Sequence, residues 1–250
     1  MIYCIAFIIN IFLLMKNRNL EPQIKLSTIE YIIKKEIIKI DDTIINEFNV
    51  GGYTRRVDLS VITNKYLYAF EIKSEYDSLY RLNGQIETYL KHFDKVFIVT
   101  TKKYIKKVLL STPSHVAVWE FNDGSINIVR RGKINNIKNK EVMLNMINID
   151  ELKQLVKDLN KKPTDKKRKT LVELALEIPT YKIKEHMLKA IRKRYSLTSK
   201  KFLKKAKSEK LNIDDLKLLS NKRKEIIGVI DPRAIHDEDI NNYIKALNLL

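Results

Sequence analysis

Several common kinds of site are excluded by what this chain has little of. One cysteine, Cys4, stands among 250 residues, which rules out an internal disulfide and any cysteine-rich zinc site. The histidines, His92, His115, His186 and His236, have no metal-ligand spacing. Six glycines form no phosphate-cradling loop, so no nucleotide cofactor is expected. The longest apolar run, residues 1–15, is shorter than the roughly 20 residues of a spanning helix. It also lacks a basic leader and a small-residue cleavage site. The run reads as a start placed too early, with Met15-Lys-Asn-Arg as the natural beginning, in preference to the alternative of a short membrane anchor, and the chain reads as cytoplasmic.

Negative charge is also scarce. Against 48 Lys and Arg stand 30 Asp and Glu, a formal charge of +18 with a pI near 9.7. The basic residues crowd into 161–170, with Lys166, Lys167, Arg168 and Lys169, and into 200–210, with Lys204 and Lys205. Such runs attract phosphates, so a nucleic acid is the expected partner, although a composition rich in Lys, Ile and Asn also fits an AT-rich genome.

The acidic groups that remain are placed unusually. Residues 56–74, Arg-Val-Asp-Leu-Ser-Val-Ile-Thr-Asn-Lys-Tyr-Leu-Tyr-Ala-Phe-Glu-Ile-Lys-Ser, read as a β-hairpin with its turn at Asn64-Lys65. Whether the loop holds two residues or four, Thr63 then faces Tyr66, Ile62 faces Leu67 and Asp58 faces Glu71. Alternation places Ala69, Glu71 and Lys73 on one face and Tyr68, Phe70 and Ile72 on the other. Opposed carboxylates destabilise a sheet unless something compensates. A divalent cation does so, since Mg²⁺ binds through one or two carboxylates and keeps several waters. Upstream, residues 43–49 lead into Gly51-Gly52, and pairing across that turn predicts Glu47 opposite Arg56, on the face of Asp58. The alternative reading of the whole cluster is a solvated strand face with cross-strand ion pairs.

A helix is expected over residues 77–93, starting at an Asp/Ser cap, with Leu79, Leu82, Ile86, Tyr89, Leu90 and Phe93 as its buried stripe. Arg81, Gln85 and Tyr89 recur every four residues along its edge, where they face the end of the hairpin or, for Tyr89, enter the core.

With these residues in place, the chain resembles the PD-(D/E)XK nuclease superfamily, especially its RecB-like branch. The resemblance rests on Asp58, Glu71-Ile72-Lys73 and Gln85-x-x-x-Tyr89. More closely, Arg56-Val-Asp58, Glu71-Ile-Lys-Ser74, Asp77-Ser-Leu, Arg81-Leu and Gln85-x-x-x-Tyr89 resemble largely uncharacterised bacterial and phage proteins of that superfamily, over about residues 27–132. Val57 stands where proline often precedes the aspartate. The resemblance implies an α/β restriction-endonuclease-like αβββαβ core, a mixed sheet flanked by helices. It implies Mg²⁺ or Mn²⁺ on Asp58, Glu71 and the carbonyl of Ile72, with Lys73 positioning or activating water. An upstream glutamate, Glu47 or else Glu30, would assist the metal. Gln85 and Tyr89 would position substrate or the active site, and Arg81 and Arg56 are further positioning candidates. The implied activity is a deoxyribonuclease in repair or in defence against foreign DNA. The alternative is a nucleic-acid-binding protein that kept the fold but does not cut.

Around this core, Lys95–Thr100 reads as a buried strand, 102–110 as a short helix, and 115–121 with 126–131 as a second hairpin. A first helix is expected from the capping box Ser27-x-x-Glu30. The expected layout is an apolar leader over 1–15, the nuclease-like domain over 16–135, and a basic helical C-terminal region over 136–250. Helices are expected at 149–159, 171–178 and 182–195, with two more in the tail around Ile230-Asp-Pro232.

Overall fold

In the computed structural model, residues 20–50, 55–158 and 163–220 are described. The apolar leader, the Gly51-Gly52 turn, Lys161, Lys162 and most of the expected tail helices lie outside them. In chain order the elements are α1 (Glu21–Lys34), β1 (Thr43–Val50), β2 (Arg55–Ile62), β3 (Leu67–Lys73), α2 (Leu82–His92), β4 (Lys95–Thr101), α3 (Lys102–Ser111), β5 (Ala117–Asn122), β6 (Ser125–Arg130), α4 (Lys140–Asn145), α5 (Ile149–Asp158), α6 (Arg168–Leu176), α7 (Thr180–Ser208) and a 3-10 helix (Ile213–Leu219).

The six strands form one mixed sheet in sequence order, β1 to β6. Hairpin partners are antiparallel, while β3, β4 and β5 run parallel through the crossovers α2 and α3. Parallel neighbours need such crossovers and are buried on both faces, which is why β4 reads Val-Phe-Ile-Val without alternation. The β2–β3 register matches the hairpin expectation: Ile62 pairs with Leu67, and Thr63 N–H donates to Tyr66 O.

Alternation splits the sheet into two cores. One face carries Leu67, Ala69, Val96 and Ile98 and packs against Ile86, Tyr89 and Phe93 of α2, then against α4 to α6 and the first half of α7. The other carries Phe70, Ile72, Phe97 and Trp119 under α1, the end of α7 and the 3-10 helix. Phe70 stacks on Phe97 at 4.3 Å, and Trp119 meets Phe97 edge-on at 4.8 Å. Tyr68, Phe70 and Ile72 therefore bury one face, as expected.

Several boundaries differ from the sequence reading. The helix expected over 182–195 runs from Thr180 to Ser208, and the one expected over 171–178 is Arg168–Leu176. α1 starts at Glu21-Pro22, so Ser27 and Glu30 lie mid-helix; Pro22 suits a first turn, where its missing N–H costs nothing, and Glu21 complements the helix dipole. α2 starts at Leu82 rather than 77, because Asp77 closes a turn on Ser74 instead of capping a helix. Finally, residue 135 does not separate two cores. The helices beyond it complete both faces of the sheet, and the described residues up to Leu219 fall in one compact unit.

α7 unites the two cores by crossing the open edge of β1, where Ser199 Oγ accepts the Ile44 N–H at 2.9 Å. That bond occupies a donor the edge strand would otherwise leave without a ladder partner. At the same end of the sheet, beside the β2–β3 turn, buried Asp94 accepts from Leu67 N–H at 2.8 Å, Ile137 N–H at 3.0 Å and Lys184 Nζ at 2.6 Å. This one carboxylate ties β3, the segment after β6 and α7 together.

Candidate functional site

The site forms where β2 and β3 part. Their ladder runs from Ile62/Leu67 to Leu59/Phe70, and one step further Asp58 comes level with Glu71. There a side chain replaces the backbone partner: Asp58 Oδ2 accepts the Ile72 N–H at 2.7 Å. Strand N–H and C=O groups of one residue leave toward the same neighbour, so the Ile72 carbonyl shares that opening.

Glu71 is 1% exposed and fully engaged. Its Oε1 lies 2.7 Å from Lys73 Nζ and 2.5 Å from Gln85 Nε2, and its Oε2 lies 2.8 Å from the Tyr89 hydroxyl. Tyr89 OH is also 3.0 Å from the Arg56 carbonyl oxygen, and its single proton serves one acceptor at a time. Tyr89 is thus both core residue and site residue. Gln85 and Tyr89, one turn apart on α2, reach the same carboxylate because that helix packs on the face carrying Glu71. The Lys73 carbonyl accepts from Thr100 Oγ1 at 2.7 Å, which pins the end of β3 to β4.

The charges press on one another. Burial first, then the Glu71 carboxylate, push Asp58 up to about 8. Burial opposes the Lys73 ammonium, but Glu71, by charge and hydrogen bond, more than offsets it and holds Lys73 above the ordinary lysine range. Burial and the same carboxylate raise the Tyr89 hydroxyl as well, so it stays a donor.

Two hard oxygen donors held together against their repulsion suit a divalent cation that takes few protein ligands. Gln85, whose Nε2 donates to Glu71, keeps its buried Oε1 without a hydrogen-bond partner. The residues present therefore fit Mg²⁺ or Mn²⁺, although no group of three or more His, Cys, Asp or Glu side chains gathers among the described residues.

Glu47 is the main correction. Asn46 pairs with Leu59 and Phe48 with Val57, so Glu47 is level with Asp58, while Arg56 pairs with Asn49. The connection spans four residues, because Val50 pairs with Arg55, whereas a tight Gly51-Gly52 turn was expected. Glu47 takes φ +59°, which breaks the alternation and turns its carboxylate outward to Arg56 at 3.3 Å, with both side chains largely solvated. Glu30 is exposed. Arg81 is exposed at the start of α2.

The acid nearest in influence on the α1 side is one the sequence reading missed. Glu21 pairs at 3.2 Å with Lys25, which is 4% exposed and donates to Asn46 Oδ1 at 3.0 Å. Both charges act on Asp58. The available signal was Pro22, which marks a helix start six residues before the capping box.

The basic runs divide. Arg168 is spent on the Leu144 and Ile147 carbonyls at the end of α4. Lys205 is paired with Asp215 at 2.7 Å and Glu209 at 3.6 Å. Lys166, Lys167, Lys169 and Lys204 are exposed.

A six-stranded mixed sheet with flanking helices, a helical C-terminal part and a buried Asp–Glu–Lys cluster at the opening of two strands defines the class of α/β protein. Residues 15–220 match the family of bacteriophage P4 protein cII, and the chain belongs to that family. It is 35% identical over 234 residues to protein cII of Enterobacteria phage P4, covering 90% of this chain and 88% of the phage protein. A solved protein of unknown function from Silicibacter pomeroyi aligns with a TM-score of 0.34 at 16% identity, over 50% of this chain and 85% of that one; nothing about this chain follows from a likeness so slight. No helix among the described residues is long and apolar enough to cross a membrane.

Proposed function

We propose that this protein is a metal-dependent nuclease that hydrolyses DNA phosphodiester bonds on a PD-(D/E)XK, RecB-like core. The observation that supports it most is the meeting of Asp58, Glu71 and Lys73 at one strand opening, with Lys73 Nζ 2.7 Å from Glu71. The element order α1-β1-β2-β3-α2-β4 is that of the proposed core.

Asp58, Glu71 and the Ile72 carbonyl would hold Mg²⁺ or Mn²⁺, which when bound polarises a phosphoryl oxygen and lowers the pKa of its water. Lys73 brings a fixed positive charge to the place where negative charge develops. Gln85 and Tyr89 hold the Glu71 carboxylate in one orientation. Arg56 and Arg81, at the rim, orient the phosphate strand.

The test is cleavage of linear and circular DNA, single- and double-stranded, with Mg²⁺ or Mn²⁺. Wild-type protein cuts only with metal, Glu71→Gln does not cut, and Lys73→Met loses about 10²–10³-fold in rate. Thermal melts establish that the variants are folded. Wild-type protein that binds these DNAs in both metals and cuts none would sink the proposal in favour of a non-cutting nucleic-acid-binding protein.

A further inference from the structure

The loop between β3 and α2 carries two exposed tyrosines. Tyr80 is 93% exposed and Tyr76 is 52% exposed. An aromatic side chain so fully solvated is usually found on a loose segment, but this loop is held at every step. Asp77 accepts from both the N–H and the hydroxyl of Ser74 at 2.7 Å. From α3, the Tyr104 hydroxyl donates to the Asp77 carbonyl and Lys103 Nζ to the Glu75 carbonyl, each at 2.6 Å. Tyr80 N–H donates to Ser78 Oγ at 3.2 Å. On either side of Tyr80, Leu79 packs on the core and Leu82 is 1% exposed. The ring is thus displayed by a fixed backbone.

Arginines lie near the start of α2, together with Glu75 and Asp77 of the loop and with Glu47, which pairs with Arg56 at 3.3 Å. Arg81 follows Tyr80 directly, Arg56 is exposed, and Arg55 leans from β2 onto the first turn of α2, so that a Cβ at Gly84 would lie 3.3 Å from Arg55 Nη2. The chain also limits how far the Tyr80 backbone stands from that of Gln85, Cα to Cα. Tyr80 precedes Gln85, the Glu71 partner, by five residues, at most about 17 Å even if fully extended.

We infer that Tyr80 is a stacking platform for an unpaired base of a DNA strand whose phosphates are held by Arg55, Arg56 and Arg81. The site then takes single-stranded or frayed ends in preference to closed duplex. Base–aromatic stacking on a preorganised ring adds affinity without reading sequence, because every base has a π-face. This inference rests on the nuclease reading for the identity of its ligand as DNA.

The test uses the full chain carrying Glu71→Gln and measures binding of a short fluorescent single-stranded DNA against the same strand with abasic sites, which keeps the phosphates and removes the bases. The base-bearing strand binds about 5- to 150-fold tighter. Tyr80→Ala abolishes that difference and Tyr80→Phe retains it, and both fold normally because so exposed a ring contributes little packing. Equal binding of the two strands, or a preference that survives Tyr80→Ala, overturns the platform. Cleavage by the wild-type protein is scored separately. A base preference without cutting leaves the platform standing and removes the nuclease, whereas cutting without a base preference does the reverse.

Discussion

At the scale of the residue, Asp58 carries the tension in the site. Its carboxyl has an ordinary value of 3.8 and is raised in the fold to about 8. Between those values the folded chain keeps a proton that the unfolded chain has lost. The raised value thus favours folding fully below about pH 4, and the contribution is lost as pH climbs through about 8. The metal-free protein is therefore expected to melt at falling temperature across that interval, measured by thermal scans, whereas Asp58→Asn flattens the dependence. Added Mg²⁺ should raise the wild-type melting temperature more at pH 8 than at pH 5, because the cation competes with that proton. A wild-type curve as flat as that of Asp58→Asn would show that Asp58 is already ionised.

At the scale of the element, the second hairpin depends on one backbone conformation. Gly132 leaves β6 at φ +64°, and a Cβ there would stand 2.5 Å from Ala117 N and 2.7 Å from His115 O. The close approach lets Lys133 N–H donate to His115 O at 2.8 Å. Both obstacles are backbone, so neither can rotate away. Gly132→Ala should destabilise by more than the roughly 1–2 kcal/mol of left-handed strain alone, while Gly124→Ala, at φ +80° with nothing within 4 Å, should cost about that strain and no more. Urea melts of the two variants make the comparison, and equal losses would refute the steric account. The same scale explains the shift in the start of α2. Asp77 looked like a cap because Asp-Ser before an apolar stripe is a helix-start pattern, yet its carboxylate was claimed by Ser74 three residues earlier.

At the scale of the whole molecule, Asp94 is a buried polar tie between the sheet and α7, beside the apolar packing of that helix on both cores. It is 0% exposed and holds two backbone N–H groups as well as Lys184, itself only 15% exposed. Removing it leaves a nearly buried ammonium and two donors without their acceptor. Asp94→Ala is expected to cost about 3–5 kcal/mol in equilibrium unfolding. Lys184→Met, which leaves a carboxylate still bonded to two N–H groups, should cost less. The reverse order would mean that the ion pair, and not the backbone bonds, is what Asp94 is for.

Much of the site was open to reading in one dimension because it depends on short-range geometry. Strand alternation and a turn at Asn64-Lys65 suffice to bring Asp58 level with Glu71 and to put Lys73 on the same face. Helical periodicity suffices to set Gln85 and Tyr89 on one edge of α2. Composition alone excluded disulfides and cysteine-rich zinc, and the apolar runs marked the buried strands β3 and β4. The position of Glu47 was not open in this way, since its left-handed backbone reverses the alternation from which its face would be inferred. Nor were Glu21 and Lys25, which approach Asp58 only because α1 packs beneath the sheet, or Arg168 and Lys205, whose charges are taken up by α4 and by Asp215. Local sequence determined which groups stand on which face of each strand and helix, because those periods are properties of the backbone. Only the tertiary structure decided which charges meet, which are spent on carbonyls and which stay in water, because that depends on how α1, α2 and α7 close over the sheet.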